Sequence, residues 1–449
     1  MKRVLFRSMV WAILLTLVGC RGTDVNEPDG KPAPEAKVAD QPKNAPGGLS
    51  KPSDEEKIEI EEVRERDTNE EPGEEEPVSP MAAHRNLRAK HLARYGGAGT
   101  EAAVEAGLRW LRDHQSANGS WDIDGFTSLC DKKGRSGQCS GVGMDHFDTG
   151  ATGLALLAFL ANGHTHRSGS YPKTVKQGLK YLISVQDADG CFGSRRGHFM
   201  YNHAIATLAM AEAFGISKSP LLVKSAQAGI DFLIQAQNPG SAWRYKVQPG
   251  DNDSSVTGWA VLALKVGKLA GLEVPMNSFS GAKKWYDLVT DDQYYRTGYM
   301  TRGDRGARLK GQVGKFSNSE AMTAIAMMAR IFIGAERNDR LLQGGADLLL
   351  QSLPEWSPDG GPGGTSKIDY YYWYLGTLTM FQMGGDHWQR WNAAMRKALM
   401  DHQETGPNMC LHGSWNPVGP WGSSGGRVYT TALAVLTLET YARFARYYE

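Results

Sequence analysis

Six apolar segments of this 449-residue chain are each preceded, or entered within a turn, by residues able to move protons or hold a polar ligand. They are Asp145, Asp148 and Thr149; Tyr201, Asn202 and His203; Asp253, Ser255 and Thr257; Asn318 and Glu320; Asp369 with Tyr370, Tyr371 and Tyr372; and Arg427 with Tyr429. A single Asp, Ser or Thr at such a place is the residue type that caps a helix start. Capping does not call for His203, Arg427 or a run of tyrosines, so the set also reads as the rim of a binding site. Asp148, His203, Asp253, Glu320 and Asp369 are then the candidate acids and bases. Arg427 would orient an anionic head group, and converging helix N-termini would favour the same charge. Asp145, Tyr201, Trp259, Tyr370, Tyr371, Tyr372 and Tyr429 are candidate ligand contacts, their rings suited to a carbocation or to a sugar face.

A repeat is what could bring these residues to one rim. "AVEAGLRWLRDHQSANGSW" (103–121) is echoed by "TVKQGLKYLISVQDADGCF" (174–192) and "SAQAGIDFLIQAQNPGSAW" (225–243), with weaker copies at 281–299, 345–361 and 392–415. In each copy apolar residues recur at three and four, as Val104, Leu108 and Leu111 do, which predicts a helix with one buried stripe. After each copy comes a segment apolar nearly all round and rich in Ala and Gly, such as "TGATGLALLAFLANG" (149–163), which predicts a helix buried on most sides. Six alternations predict an all-α (α/α)6 toroid over residues 95–449, the buried helices inside. Gln115, Gln186 and Gln237 fall where an outer helix leaves carbonyls without partners. Their amides are expected to donate to those carbonyls and accept from the next helix start. Gly119 or Gly190 supplies the turn, and Trp121, Phe192, Trp243 and Trp415 pack over it.

The "Gln-x-x-x-Gly-x-Trp" pattern, the six pairs, and phrases such as "MYNHAIATLAMAEAFG" and "VTGWAVLALKVGKLAG" resemble the toroid shared by terpenoid cyclases and protein prenyltransferases. Within it, they are most similar to secreted proteins with prenyltransferase/squalene-oxidase repeats from planctomycete-type bacteria. The resemblance covers nearly the whole domain and implies the fold and a central cavity; a shared fold hosts many functions. Squalene–hopene-type cyclases carry an Asp-x-Asp-Asp-Thr acid motif. "DHFDT" keeps Asp145 and Asp148-Thr149 but has Phe147 in the place of the proton donor. The prenyltransferase zinc segment, Asp-x-Cys-Tyr, corresponds to "DYYYWYLG", with Asp369 and Tyr370 and no Cys. That zinc site does not carry over, the resemblance assigns no metal, and no cofactor is evident. Thioester, aspartate-rich diphosphate, nucleotide-loop, Ser-His-Asp and nucleic-acid motifs do not occur, so no nucleic-acid partner is expected.

The chain opens with "MKRVLFRSMVWAILLTLVGC", basic and then apolar over too few residues for a comfortable span. Residues 1–20 read as a bacterial lipoprotein signal ending at Cys20, whose lipidation would tether the protein to a membrane facing the periplasm or exterior. Residues 21–85 are Pro-rich and acidic; "SDEEKIEIEEVRERDTNEEPGEEEP" carries a net charge of roughly −10, the composition of an extended linker. The whole chain has a formal net charge of +1, so no polyelectrolyte partner is implied. In an exported protein, Cys130 and Cys139 flanking "CDKKGRSGQC" predict a loop-closing disulfide. A metal site with His146 and Asp148 is the alternative, and Cys191 and Cys410 pair or stay single. The functional expectation is an envelope lipoprotein that binds an elongated apolar ligand, isoprenoid or lipid, in the toroid's cavity. These residues leave turnover open. A carbohydrate-active toroid and a protein-binding scaffold are the alternatives.

Overall fold

The structure is a computed structural model describing residues 99–130, 136–305, 315–358, 364–406 and 409–443. The chain divides into two units, Met1–Glu71 and Pro72–Glu449, and every described residue belongs to the second. The expected signal, Cys20 and the acidic linker lie outside the described residues. No described helix is long and apolar enough to cross a membrane.

The described residues form six outer–inner helix pairs. The outer helices are α1 (Thr100–Asp113), α3 (Pro172–Ser184), α5 (Pro220–Ala236), α7 (Met276–Val289), α9 (Arg340–Leu350) and α11 (Gly385–Met400). The inner ones are α2 (Asp148–Ala161), α4 (Phe199–Ser217), α6 (Ser254–Ala270), α8 (Ala321–Ile333), α10 (Tyr370–Met383) and α12 (Gly422–Leu438), followed by the short α13 (Thr440–Arg443). Each inner helix packs on the next, and α12 returns to α2, closing the ring. The first outer helix, α1, packs mainly on α12, so the ring's seam lies where the two ends of the repeat array meet. This is the expected (α/α)6 toroid.

Burial follows the two sequence patterns. In α1 a stripe including Val104, Leu108 and Leu111 is buried, whereas α2 is buried at every residue from Thr149 to Ala161. An outer helix can leave one face in water; an inner helix has neighbours on all sides. Glycine lets inner helices close up: a Cβ at Gly258 would sit 2.0 Å from the Ile325 side chain on α8.

The inter-helix staple differs in direction from the expectation. The Gln amide does not serve its own helix end. Gln115 Nε2 donates to Gly119 O in its own turn (2.9 Å) and to Thr174 O in the next outer helix (3.0 Å). Gln186 and Gln237 do the same to Ser225 O and Ser278 O, and Gln403 donates to Ala103 O at 2.7 Å, carrying the chain of staples across the seam. The outer-helix carbonyls are satisfied instead by tryptophan: the indole N–H of Trp121, Trp243 and Trp415 donates to Leu111, Leu233 and Leu399 O at 2.7–2.8 Å. Gly119 holds a left-handed φ of 94°, and a Cβ there would meet Gln177 O at 2.2 Å.

The Cys130–Cys139 disulfide is not formed, and Cys191 and Cys410 are not paired with each other. Cys130 and Cys139 instead share a buried cluster with Cys410 and His114. Sequence spacing favoured the local pair because Cys410 comes from a segment that only ring closure brings to this connection.

Candidate functional site

All six inner helices open by their N-terminal turns onto one central cavity of about 370 Å³, inside the ~300–1,000 Å³ range of small-molecule sites. Its wall is mainly apolar and aromatic. Phe147 and Leu154 face it from the start of the first pair, Tyr201 and Ile205 from α4, Trp259 from α6, Met322 from α8, Tyr371 from α10 and Tyr429 from α12. Trp259 lies stacked on Tyr371 (ring centroids 6.3 Å apart), and the Tyr371 hydroxyl meets Ser255 Oγ at 2.7 Å. Phe147 is thus in the wall at the place where the cyclase resemblance puts the proton donor.

Of the sequence candidates, Tyr201, Trp259, Tyr371, Tyr429 and Asp369 line the cavity. Asp369 is already engaged: Oδ1 accepts the Tyr372 N–H that starts α10 (3.1 Å), and Oδ2 accepts from Ser319 Oγ (2.8 Å). Tyr370 and Tyr372 turn away, because successive helical residues point about 100° apart. Tyr370 donates to Asn416 O and Tyr372 to Leu349 O, with its ring edge-on to Trp391.

Two further acid–base candidates, His203 and Glu320, are not among the lining residues and are held by neighbouring groups. His203 is fully buried; its Nδ1 accepts the Phe192 N–H (3.1 Å) and its Nε2 donates to Gly229 O (3.1 Å). The same bond from the staple residue's N–H goes to a threonine hydroxyl in the pairs of Trp121–Thr152, Trp243–Thr257 and Trp415–Thr431. His203 therefore fills a repeat position, and burial pushes its pKa down to about 3. Glu320 is held by Arg296 at 2.8 Å and by Thr323. Arg427 does not line the cavity: it is almost wholly buried and donates to Ser140 O (2.8 Å), Ser414 Oγ (2.9 Å) and Asn416. Asp145 is exposed beyond the rim, beside His146 and Arg196 at 3.3 Å each, and its hydrogen bond with His146 leads in lowering its pKa. His146 is thereby placed away from the cysteines.

Two carboxyls remain of chemical interest. Asp148 accepts the Ile123 N–H (3.0 Å) and sits with Asp122 and Asp124; burial, aided by the neighbouring carboxylates, lifts its pKa to about 7. Asp253 caps α6 through the Val256 N–H (2.8 Å), and burial lifts it to about 7 despite Arg244, whose Nε is 4.0 Å away. Neither lines the cavity. Asp253 lies one group behind it, against Tyr299, which does.

His198, Tyr245, Tyr299 and Trp421 also line the cavity and come from the connections before the inner helices, not from helix starts. His198 stacks on Tyr245 at 3.7 Å, and Tyr245 and Tyr299 share a hydroxyl–hydroxyl hydrogen bond. Both tyrosines stand two residues after a staple position, Trp243 and Thr297, whose N–H groups bond to Thr257 and Thr323. The repeat register carried that signal.

No family model matches the chain. A squalene–hopene cyclase from Bradyrhizobium diazoefficiens is 26% identical over 184 residues, which is 38% of this chain and 26% of the cyclase, so the match spans about a quarter of that enzyme. An inactive variant of an α-1,6-mannanase from Salegentibacter, in complex with α-1,6-mannotriose, has a TM-score of 0.51 at 14% identity over 76% of this chain and 99% of that one. A type II terpene cyclase from Scytonema, in complex with its product merosterolic acid A, has a TM-score of 0.46 at 14% identity, covering 80% and 99%. At such identities structural likeness speaks for the fold alone. Fold and sequence pattern together define an α/α toroid, with a local sequence similarity to a squalene–hopene cyclase.

Proposed function

We propose that the toroid binds an elongated apolar ligand, isoprenoid or lipid-like, in its central cavity, and that the chain presents it at the cell envelope from a lipid anchor on Cys20. The observation that carries this reading is the wall itself: aliphatic and aromatic side chains from all six pairs, with Asp369 the one carboxylate among the described lining residues. A hydrocarbon gains about 25 cal/mol for each Å² it buries against such a wall. The wall argues against a glycosidase, which commonly sets two carboxylates across the scissile bond. It also argues against cyclase-type protonation at the usual position, which Phe147 occupies. Aromatic pairs such as His198–Tyr245 keep the carbohydrate reading as the second one.

The test is a titration of the purified chain with a long-chain isoprenoid alcohol and with α-linked mannose oligosaccharides, read by tryptophan fluorescence. Saturable quenching by the isoprenoid, weakened at least about tenfold in Trp259→Ala through lost burial, is expected. Quenching by the sugar alone would overturn the proposal.

A further inference from the structure

We propose that His114, Cys130, Cys139 and Cys410 bind one zinc ion that clamps the seam of the toroid. The four side chains are buried, between 1% and 7% exposed, and their ligand-type atoms all lie within 4.8 Å of one another. His114 Nε2 is 3.3 Å from Cys410 Sγ, 3.6 Å from Cys139 Sγ and 3.8 Å from Cys130 Sγ. A tetrahedral zinc with Zn–S near 2.3 Å and Zn–N near 2.0–2.1 Å would set each N···S edge at about 3.6 Å. The three observed edges bracket that value. Three sulfurs round a single imidazole nitrogen are more than one hydrogen bond needs. A disulfide would use two of them and strand the third against the ring.

The surroundings are those of a metal centre. His114 Nδ1 is 2.8 Å from Trp110 O. That hydrogen bond puts the ring's proton on Nδ1 and leaves the Nε2 lone pair aimed at the sulfurs, as outer-shell carbonyls do for metal-bound histidines. The Cys139 N–H points at Cys130 Sγ (3.2 Å), a donor for a thiolate. Trp110 stacks on the imidazole (4.2 Å), and Phe126 closes edge-on against both rings, keeping water out. On binding, each thiol loses its proton to solvent, so the dication, three thiolates and a neutral imidazole carry a net charge of −1. The buried guanidinium of Arg427 is tied to Ser140 O, the residue after Cys139, and its backbone N–H to Gly141 O. That supplies the balancing charge and gives Arg427 a purpose away from the cavity.

The ligands also come from the right places for a clamp. His114 follows the end of α1, Cys130 and Cys139 sit in the insertion between α1 and α2, and Cys410 lies between α11 and α12. The Cys410 N–H donates to Ser136 O at 3.0 Å, so the two loops already touch. A closed ring of six pairs has one junction that chain connectivity does not hold, and the cluster stands on it.

Full-length protein purified without chelators is predicted to carry one zinc per chain by elemental mass spectrometry. Cobalt(II) substitution should give the intense thiolate charge-transfer and tetrahedral ligand-field bands of a three-sulfur, one-nitrogen site. Cys410→Ser should lose the metal, and Cys191→Ser, outside the cluster, should keep it. If Cys410→Ser does not fold, His114→Cys decides: it should retain the metal and strengthen the charge-transfer band. A Cys130–Cys139 disulfide in the peptide map, or three alkylatable thiols with no metal bound after zinc is supplied, overturns the proposal.

Discussion

His203 and Asp253 both sit at inner-helix starts, and both titrate far from their ordinary ranges for the same reason, burial, with opposite consequences for pH. The His203 pKa is depressed to about 3, so below ~6.5 the unfolded chain takes up a proton the folded one refuses. Its contribution to stability is full above that pH and is lost as pH falls toward 3. Asp253 is raised to about 7. Its contribution is full below the unfolded value near 4 and is lost as pH rises through 7. His203→Thr, which restores the hydroxyl that other pairs use, should reduce the acid loss measured by urea midpoints while leaving ligand affinity unchanged. A fall in affinity would return His203 to the cavity wall. Asp253→Asn keeps a cap oxygen, and it should gain stability over the parent at about pH 8 and much less at about pH 5. Equal shifts at both would remove burial of charge as the cause.

At the scale of elements, the staple explains how much the sequence could show. The positions of Gln, Gly and Trp, the two helix types and their sixfold alternation were legible because each is a local pattern along the chain. The direction of the Gln bonds was not, since Thr174, Ser225 and Ser278 become neighbours only when outer helices stand side by side. The same limit hid the His114–Cys410 approach; Tyr245 and Tyr299 carry a signal in the repeat register, but they reach the cavity from connections, which a reading of helix starts leaves out. Reading helix starts as a rim found Tyr201, Trp259, Tyr371, Tyr429 and Asp369, but it could not tell which first-turn residues face in. Arg427 and His203 have the residue types of a binding site and the positions of struts. Gln403, which bridges Gly413 O and Ala103 O, carries the staple across the seam. Gln403→Ala should cost about 1–3 kcal/mol in denaturant unfolding, because a half-buried amide bridging two carbonyls is lost. No measurable change would mean that water replaces it at no cost.

Across the whole molecule, the ring is tied at its axis as well as at its seam. Arg443 on α13 reaches Glu212 on α4 (2.6 Å) and Tyr374 on α10 (2.8 Å), helices on opposite sides of the ring. Both charged side chains are 3% exposed. Removing one partner of such a pair strands a buried charge, so Arg443→Ala should cost about 3–5 kcal/mol; a loss within the range of an exposed pair would mean that the axis is open to water. Seam and axis together frame the central cavity, and what enters it decides what the molecule does. A native mass spectrum of the gently purified protein tests this most directly. One isoprenoid or lipid molecule per chain, bound on isolation or taken up on addition and lost in Trp259→Ala, is the predicted result. A toroid that is empty and refuses added lipid, while retaining a sugar, would contradict it.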